Sequence, residues 1–171
     1  MSPNDTSQII LIPLSQDYFA IVDEIDADLF FSKWSVKICA NDPYYAIRNI
    51  RTVDEKHTTE SMHRIILSRK LGRNLLKNEL VDHINGDGLD NRRDNLRVAS
   101  PSENSRNQRR KSSNKSGFKG VCWHKYTKKW TARITVEGKQ KSLGYFDTPE
   151  DAYEAYCKEA IEKYGKYARL D

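Results

Sequence analysis

Residues 80–104 constrain the fold of this chain more than any other stretch. Leu80 to Ile84 is strand-like, Asn85-Gly86-Asp87-Gly88 is an emphatic turn signal, and Asn95 to Ala99 can return as a second strand. Ser100-Pro101-Ser102-Glu103 then reads as a helix start, with serine as cap, proline at the first helical position and glutamate three residues after the cap. A hairpin running into a helix is therefore predicted. It brings Asp82, His83, Asn95 and Asn104 within reach of one another in sequence, although neighbours such as Asp82 and His83 point to opposite faces of a flat strand. Aiming both at one point would take a twist or a bulge.

The flanking segments are simpler. Short apolar runs at Ile9 to Ile12, Tyr18 to Val22, Trp34 to Ile38, and Tyr44 to Ile47 after an Asn-Asp-Pro turn predict a small sheet, in which Trp34 and Tyr45 are core residues. Apolar positions from Met62 to Leu76, interrupted by Gly72, predict a helix or a strand-to-helix element. Residues 107–116 are polar and basic without periodicity, which reads as a linker; its Arg109, Arg110 and Lys111 are candidate phosphate contacts. Beyond it, Phe118 to Tyr126, Trp130 to Glu137 and Lys139 to Phe146 predict three strands. Trp130, Ala132, Ile134 and Val136 alternate with Thr131, Arg133 and Thr135, and Val121, Trp123, Leu143 and Tyr145 extend the apolar face. Thr148-Pro149-Glu150-Asp151 opens a last helix and Gly165 ends it.

The expected fold class is α+β: a small N-terminal sheet over 1–60, a β-β-α module over 61–106, a basic linker over 107–116, and a three-stranded antiparallel sheet packed on one helix over 117–171. Charge agrees with a polyanionic partner. The net charge of +5 divides into −5 over residues 1–60, +3 over 61–106 and +7 over 107–171. With 37% hydrophobic and 31% charged residues, the chain has little apolar material for a deep ligand cavity, so no small-molecule cofactor is expected. Cys39, Cys122 and Cys157 include no Cys-x-x-Cys pair, which argues against a disulfide framework or a cysteine-built zinc site. Neither a secretory leader nor an apolar run of about 20 residues is present, so a cytoplasmic protein without membrane contact is expected.

Hard oxygen donors such as the Asp82 carboxylate and the Asn104 amide suit Mg²⁺ or Mn²⁺, and a histidine with an ordinary pKa of about 6.5 can take a proton from water near neutrality. Base, metal, water and phosphodiester together make a minimal hydrolytic site. The run Asp82 to Asn104 resembles the HNH endonucleases, particularly phage and intron homing enzymes with asparagine in the third position. That resemblance covers Met62 to about Asn107. It implies His83 as general base, Asp82 and Asn104 as metal ligands, Asn95 holding the hairpin and orienting the His83 loop, and 5′-phosphate and 3′-hydroxyl products. Asparagine in the third position favours magnesium-like ions over zinc. His63, in Met-His-Arg, and Arg92, Arg93 and Arg97 lie near this run and are candidates for DNA or phosphate contact, with structural roles as the alternative; His57 carries no motif.

From Ser116 onward, Ser-Gly-Phe-Lys-Gly-Val, Trp-x-Ala-x-Ile, Leu-Gly-Tyr-Phe-Asp-Thr-Pro-Glu-Asp-Ala and Tyr-Gly-Lys-Tyr-Ala-Arg-Leu resemble the Apetala-two domain of plant ethylene-response factors. By that resemblance the DNA face holds Lys119, Cys122, His124, Tyr126, Arg133, Thr135, Gln140 and Ser142. Cys122, Gln140 and Ser142 replace arginine and tryptophan of the plant domains, so a different target sequence is implied. The functional expectation is a site-recognising endonuclease acting on double-stranded DNA, phage-encoded or of homing type. A non-catalytic DNA-binding regulator is the alternative. One catalytic run per chain makes a monomer that nicks the simpler expectation.

Overall fold

A computed structural model of the chain describes residues 8–39, 44–110 and 113–170. They fall into two compact units, Met1–Pro101 and Ser102–Asp171. The architecture is α+β, and the described residues form small antiparallel sheets and three α-helices.

In the first unit, β1 (Ile9–Pro13) pairs with β2 (Phe19–Asp23), and β3 (Ser35–Ile38), β4 (Tyr44–Arg51) and β5 (His57–Ser61) form a second sheet with β4 in the middle. The fifth strand was not foreseen, because His57 to Ser61 is polar and exposed and takes its place only by pairing with β4. The Asn-Asp-Pro turn at 41–43 lies outside the described residues. Helix α1 (Met62–Leu71) ends at Gly72, whose φ of 63° is the left-handed conformation a helix C-terminus favours. Ile12, Ala20, Val22, Leu29, Trp34, Met62, Ile66, Leu67 and Leu96 share one core, so the hairpin β6 (Leu80–His83) and β7 (Leu96–Ala99) rests on the same apolar base as the N-terminal strands. Trp34 is core as expected.

The second unit begins with α2 (Pro101–Arg106, of which Pro101 precedes the boundary). It continues as β8 (Val121–His124), β9 (Lys129–Val136) and β10 (Lys139–Phe146), in the order β10-β9-β8, covered by α3 (Pro149–Tyr164). Thr148 caps α3, its Oγ1 accepting from the Asp151 N–H at 3.1 Å. Ala152, Tyr156, Ala160 and Tyr164 lie on Val121, Ala132 and Ile134. One expectation fails: a register shift between Ser142 and Gly144 pairs Tyr145 with Thr131 and Phe146 with Trp130, so Tyr145 leaves the apolar face and Phe146 takes its place. Thr131 keeps the expected face, opposite Cys122 and Tyr145, but is 1% exposed, and its hydroxyl lies 3.5 Å from that of Ser142.

Among the described residues no helix is long and apolar enough to cross a membrane.

Candidate functional site: the His83 hairpin and the open sheet

The loop joining β6 to β7 is held by its own polar side chains. Asn95 closes it: its Oδ1 accepts from the Asn85 N–H at 3.0 Å, and its Nδ2 donates to Asn85 Oδ1 at 3.0 Å and to the Asp90 carbonyl at 2.7 Å. Asp90 accepts from Asn85 Nδ2 at 2.8 Å and from Arg92 through Nε at 2.8 Å and Nη2 at 2.7 Å, and these donors hold its pKa below the usual carboxylate value. Asp87 Oδ1 accepts from the Leu89 N–H at 2.9 Å. A loop braced in this way can present its end strand residue in one orientation.

That residue is His83, at the end of β6 and 6% exposed. Its Nε2 lies 3.4 Å from Oδ1 of Asn91, itself fully buried. The Asn91 amide is oriented by its Nδ2, which donates to the Leu89 carbonyl at 3.1 Å. Oδ1 can only accept, so Nε2 carries the proton and the lone pair lies on Nδ1. Burial lowers the His83 pKa, opposed by the Asn91 hydrogen bond and by the fields of Asp82, Asp87 and Asp90; the ring is neutral at neutral pH. Two aromatic rings flank it, Tyr45 from β4 with centroids 5.9 Å apart and His63 from α1 at 5.3 Å, and these two stand 5.2 Å from each other. Burial, followed by the fields of His83 and Arg64, lowers the His63 pKa to about 3, so this second imidazole stays neutral.

Asp82, the strand neighbour of His83, is 4% exposed and accepts from Nε of its cross-strand partner Arg97 at 2.6 Å, with Nη2 of the same guanidinium in ion-pair contact 2.6 Å from that oxygen. The β6–β7 pairing carries no register shift, so backbone alternation separates the two side chains and no bulge re-aims them. Arg92 and Arg93 are likewise engaged by carboxylates, Asp90 and Asp26. Asn104 lies half-buried on α2. Asp82 and Asn104 offer a carboxylate and an amide oxygen, donor chemistry that suits a magnesium-like ion, and they belong to different compact units. Among the described residues no three His, Cys, Asp or Glu side chains form a metal cage. Few protein ligands suffice for an ion that keeps waters and binds substrate phosphate.

Tyr45, expected in the core with Trp34, is instead half-buried against the two imidazoles, and the sequence singled out neither Asn91 nor the N-terminal acids. Strand β2 bonds directly to the loop: the Ile21 N–H donates to the Leu89 carbonyl at 2.8 Å and the Asn91 N–H to the Ile21 carbonyl at 2.7 Å. Asp23 accepts from the Arg93 N–H at 2.7 Å, and Asp26 accepts from the side chains of Arg93 and Arg69. The negative charge of the N-terminal segment is thus partly spent on holding arginines of the hairpin and of α1. Gly88 shows how closely the parts fit, since a Cβ there would overlap the Tyr44 carbonyl oxygen and stand 2.8 Å from the Tyr45 ring. Gly88→Ala is therefore expected to cost about 1–3 kcal/mol, as overpacking does, and to lower the thermal midpoint of the first unit. An unchanged midpoint by circular dichroism would show that the loop yields freely.

In the second unit, sheet register places Cys122, His124, Arg133, Thr135, Gln140, Ser142 and Tyr145 on the face turned away from α3. His124 packs against Tyr145 at 5.0 Å between centroids, and Tyr126 stands 94% exposed in the β8–β9 turn. Lys119 precedes β8, and its ammonium donates to the carbonyls of Arg106 at 2.6 Å and Gln108 at 2.7 Å. Arg106 in turn lies 4.8 Å over the Tyr164 ring. Arg110 donates to the Asn114 carbonyl at 3.0 Å, and Arg109 is described with it, whereas Lys111 lies outside the described residues.

Residues 60–106 match the HNH endonuclease family and residues 116–166 match the AP2 domain. The chain therefore carries an HNH endonuclease domain followed by an AP2 domain. It is similar to Protein 3.8 of Escherichia phage T7, with 40% identity over 94 residues, covering 55% of this chain and 77% of that one. It is also similar to an uncharacterised HNH endonuclease of Acanthamoeba polyphaga mimivirus, with 31% identity over 107 residues, covering 63% of this chain and 54% of that protein. No solved structure matches.

Proposed function

We propose that the protein is a metal-dependent DNA endonuclease that hydrolyses phosphodiester bonds with His83 as general base. The observation that carries this reading is the His83–Asn91 pair: a buried, neutral imidazole whose protonated nitrogen is fixed by an oriented amide. The lone pair on Nδ1 is the atom to take the proton from the attacking water, and Asn95 keeps the loop that carries His83 in one shape. Asp82 and Asn104 would hold Mg²⁺ or Mn²⁺, which supplies charge stabilisation at the phosphate and at the leaving 3′ oxygen. Double-stranded DNA is read by the open sheet face, through Arg133, Thr135, Gln140, His124 and Tyr126. Lys119, Arg109, Arg110 and Lys111 contribute positive charge along the backbone.

Supercoiled plasmid mixed with the full chain and Mg²⁺ should convert to nicked circles whose ends a ligase can reseal, and EDTA should stop the conversion. Cleavage unaffected by EDTA would remove the metal from the mechanism. Binding without cleavage in Mg²⁺ and in Mn²⁺ would favour a non-catalytic DNA-binding regulator.

A further inference from the structure

We propose that Tyr45 and His63 are positioning residues for His83, so that the N-terminal sheet, beyond the reach of the HNH match, is a working part of the nuclease site. The inference rests on the reading of His83 as general base. The three rings form a closed triangle, with Tyr45 to His63 at 5.2 Å, His63 to His83 at 5.3 Å and Tyr45 to His83 at 5.9 Å. Their planes meet at 65°, 87° and 44°, the first two edge-on. The contact with Asn91, at 3.4 Å, bears on which nitrogen carries the proton. The two flanking rings restrain the tilt of the imidazole, because a ring packed on two sides cannot swing without displacing its neighbours.

Two further observations show that this packing is specific. Gly88, in the loop that carries Asn91, approaches the Tyr45 ring more closely than any side chain would allow, so the tyrosine braces the loop as well as the histidine. His63 carries a buried Nδ1 with no hydrogen-bond partner. An apolar side chain on that face of α1 would fill the space without leaving a polar atom unsatisfied. An imidazole here is a poor choice for stability, and its neighbour is the ring that the reaction uses.

The full chain would be compared with Tyr45→Phe, Tyr45→Leu, His63→Phe and His83→Ala in single-site oligonucleotide cleavage, with folding followed by circular dichroism. Tyr45→Phe keeps the ring and should hold kcat within about threefold, whereas Tyr45→Leu should lower kcat by about 10- to 100-fold with KM nearly constant, as a misplaced reacting group does. His63→Phe should retain the folded state and lose kcat less than Tyr45→Leu. Should Tyr45→Leu fail to fold, Tyr45→Met, which removes the planar ring while filling its space with a flexible side chain, is compared in its place with the same expected loss of kcat, and a folded Tyr45→Met protein with unaltered kcat would overturn the role given to the ring. A folded Tyr45→Leu protein with unaltered kcat, or Tyr45→Phe as damaged as Tyr45→Leu, also overturns it. If His83→Ala cleaves normally, the reading of His83 fails; if His83→Ala is inactive and Tyr45→Leu is fully active, only the positioning role fails.

Discussion

Replacing His83 with alanine should lower the cleavage rate by about 10²- to 10⁴-fold, the span that a positioned general base contributes, while DNA affinity stays close to that of the unaltered protein. The separation follows from placement. The imidazole is buried at the end of β6 and bonded to Asn91, whereas the open sheet face lies in the other compact unit. Removing a buried neutral ring deletes no phosphate-neutralising charge, so the salt dependence of binding should not change either. Single-turnover cleavage and gel shifts on one preparation would measure both. Near-normal nicking by the variant would take His83 out of the mechanism, and a parallel loss of binding would show that the ring supports the DNA surface instead.

The largest expected effect on stability falls on Asp26, which has no part in the chemistry. Its carboxylate is 1% exposed and accepts from Arg93 Nε at 2.7 Å, Arg93 Nη2 at 3.1 Å and Arg69 Nη1 at 3.0 Å. Asp26→Ala would leave two guanidinium groups facing each other without the anion between them. Breaking a buried pair costs about 3–5 kcal/mol, and the partial exposure of both arginines places this case near the lower figure. For a unit of this size the thermal midpoint should fall on the order of 10 °C. Cleavage should weaken below that midpoint as well, since Arg93 follows Asn91 closely in the loop and is tied to Asp23 through its backbone N–H. Urea denaturation would read the stability change. A midpoint equal to that of the unaltered chain would mean that solvent replaces the carboxylate at little cost.

The local elements of both modules are legible in the amino-acid sequence because each depends on neighbours a few positions away. The turn at Asn85 to Gly88, the proline-led start of α2, the threonine cap of α3 and the alternation of β9 are written in this way. The run from Asp82 to Asn104 also carries the family resemblance. The surroundings of His83 could not be read locally. Tyr45 and His63 meet it from a strand and a helix far along the chain, and Asn91 is distinguished from the other asparagines of the loop only by its burial. The N-terminal acids look like surface charge in sequence, yet Asp23 and Asp26 become anchors once β2 lies beside the loop. Tyr145 shows the same limit in the other unit: a single register shift, invisible in a period of two, moves it from the apolar face to the open one. Sequence thus determined which elements form and which residue types could do the chemistry. Tertiary structure decided which side chains surround His83, because burial and long-range pairing bring together groups that no local pattern joins.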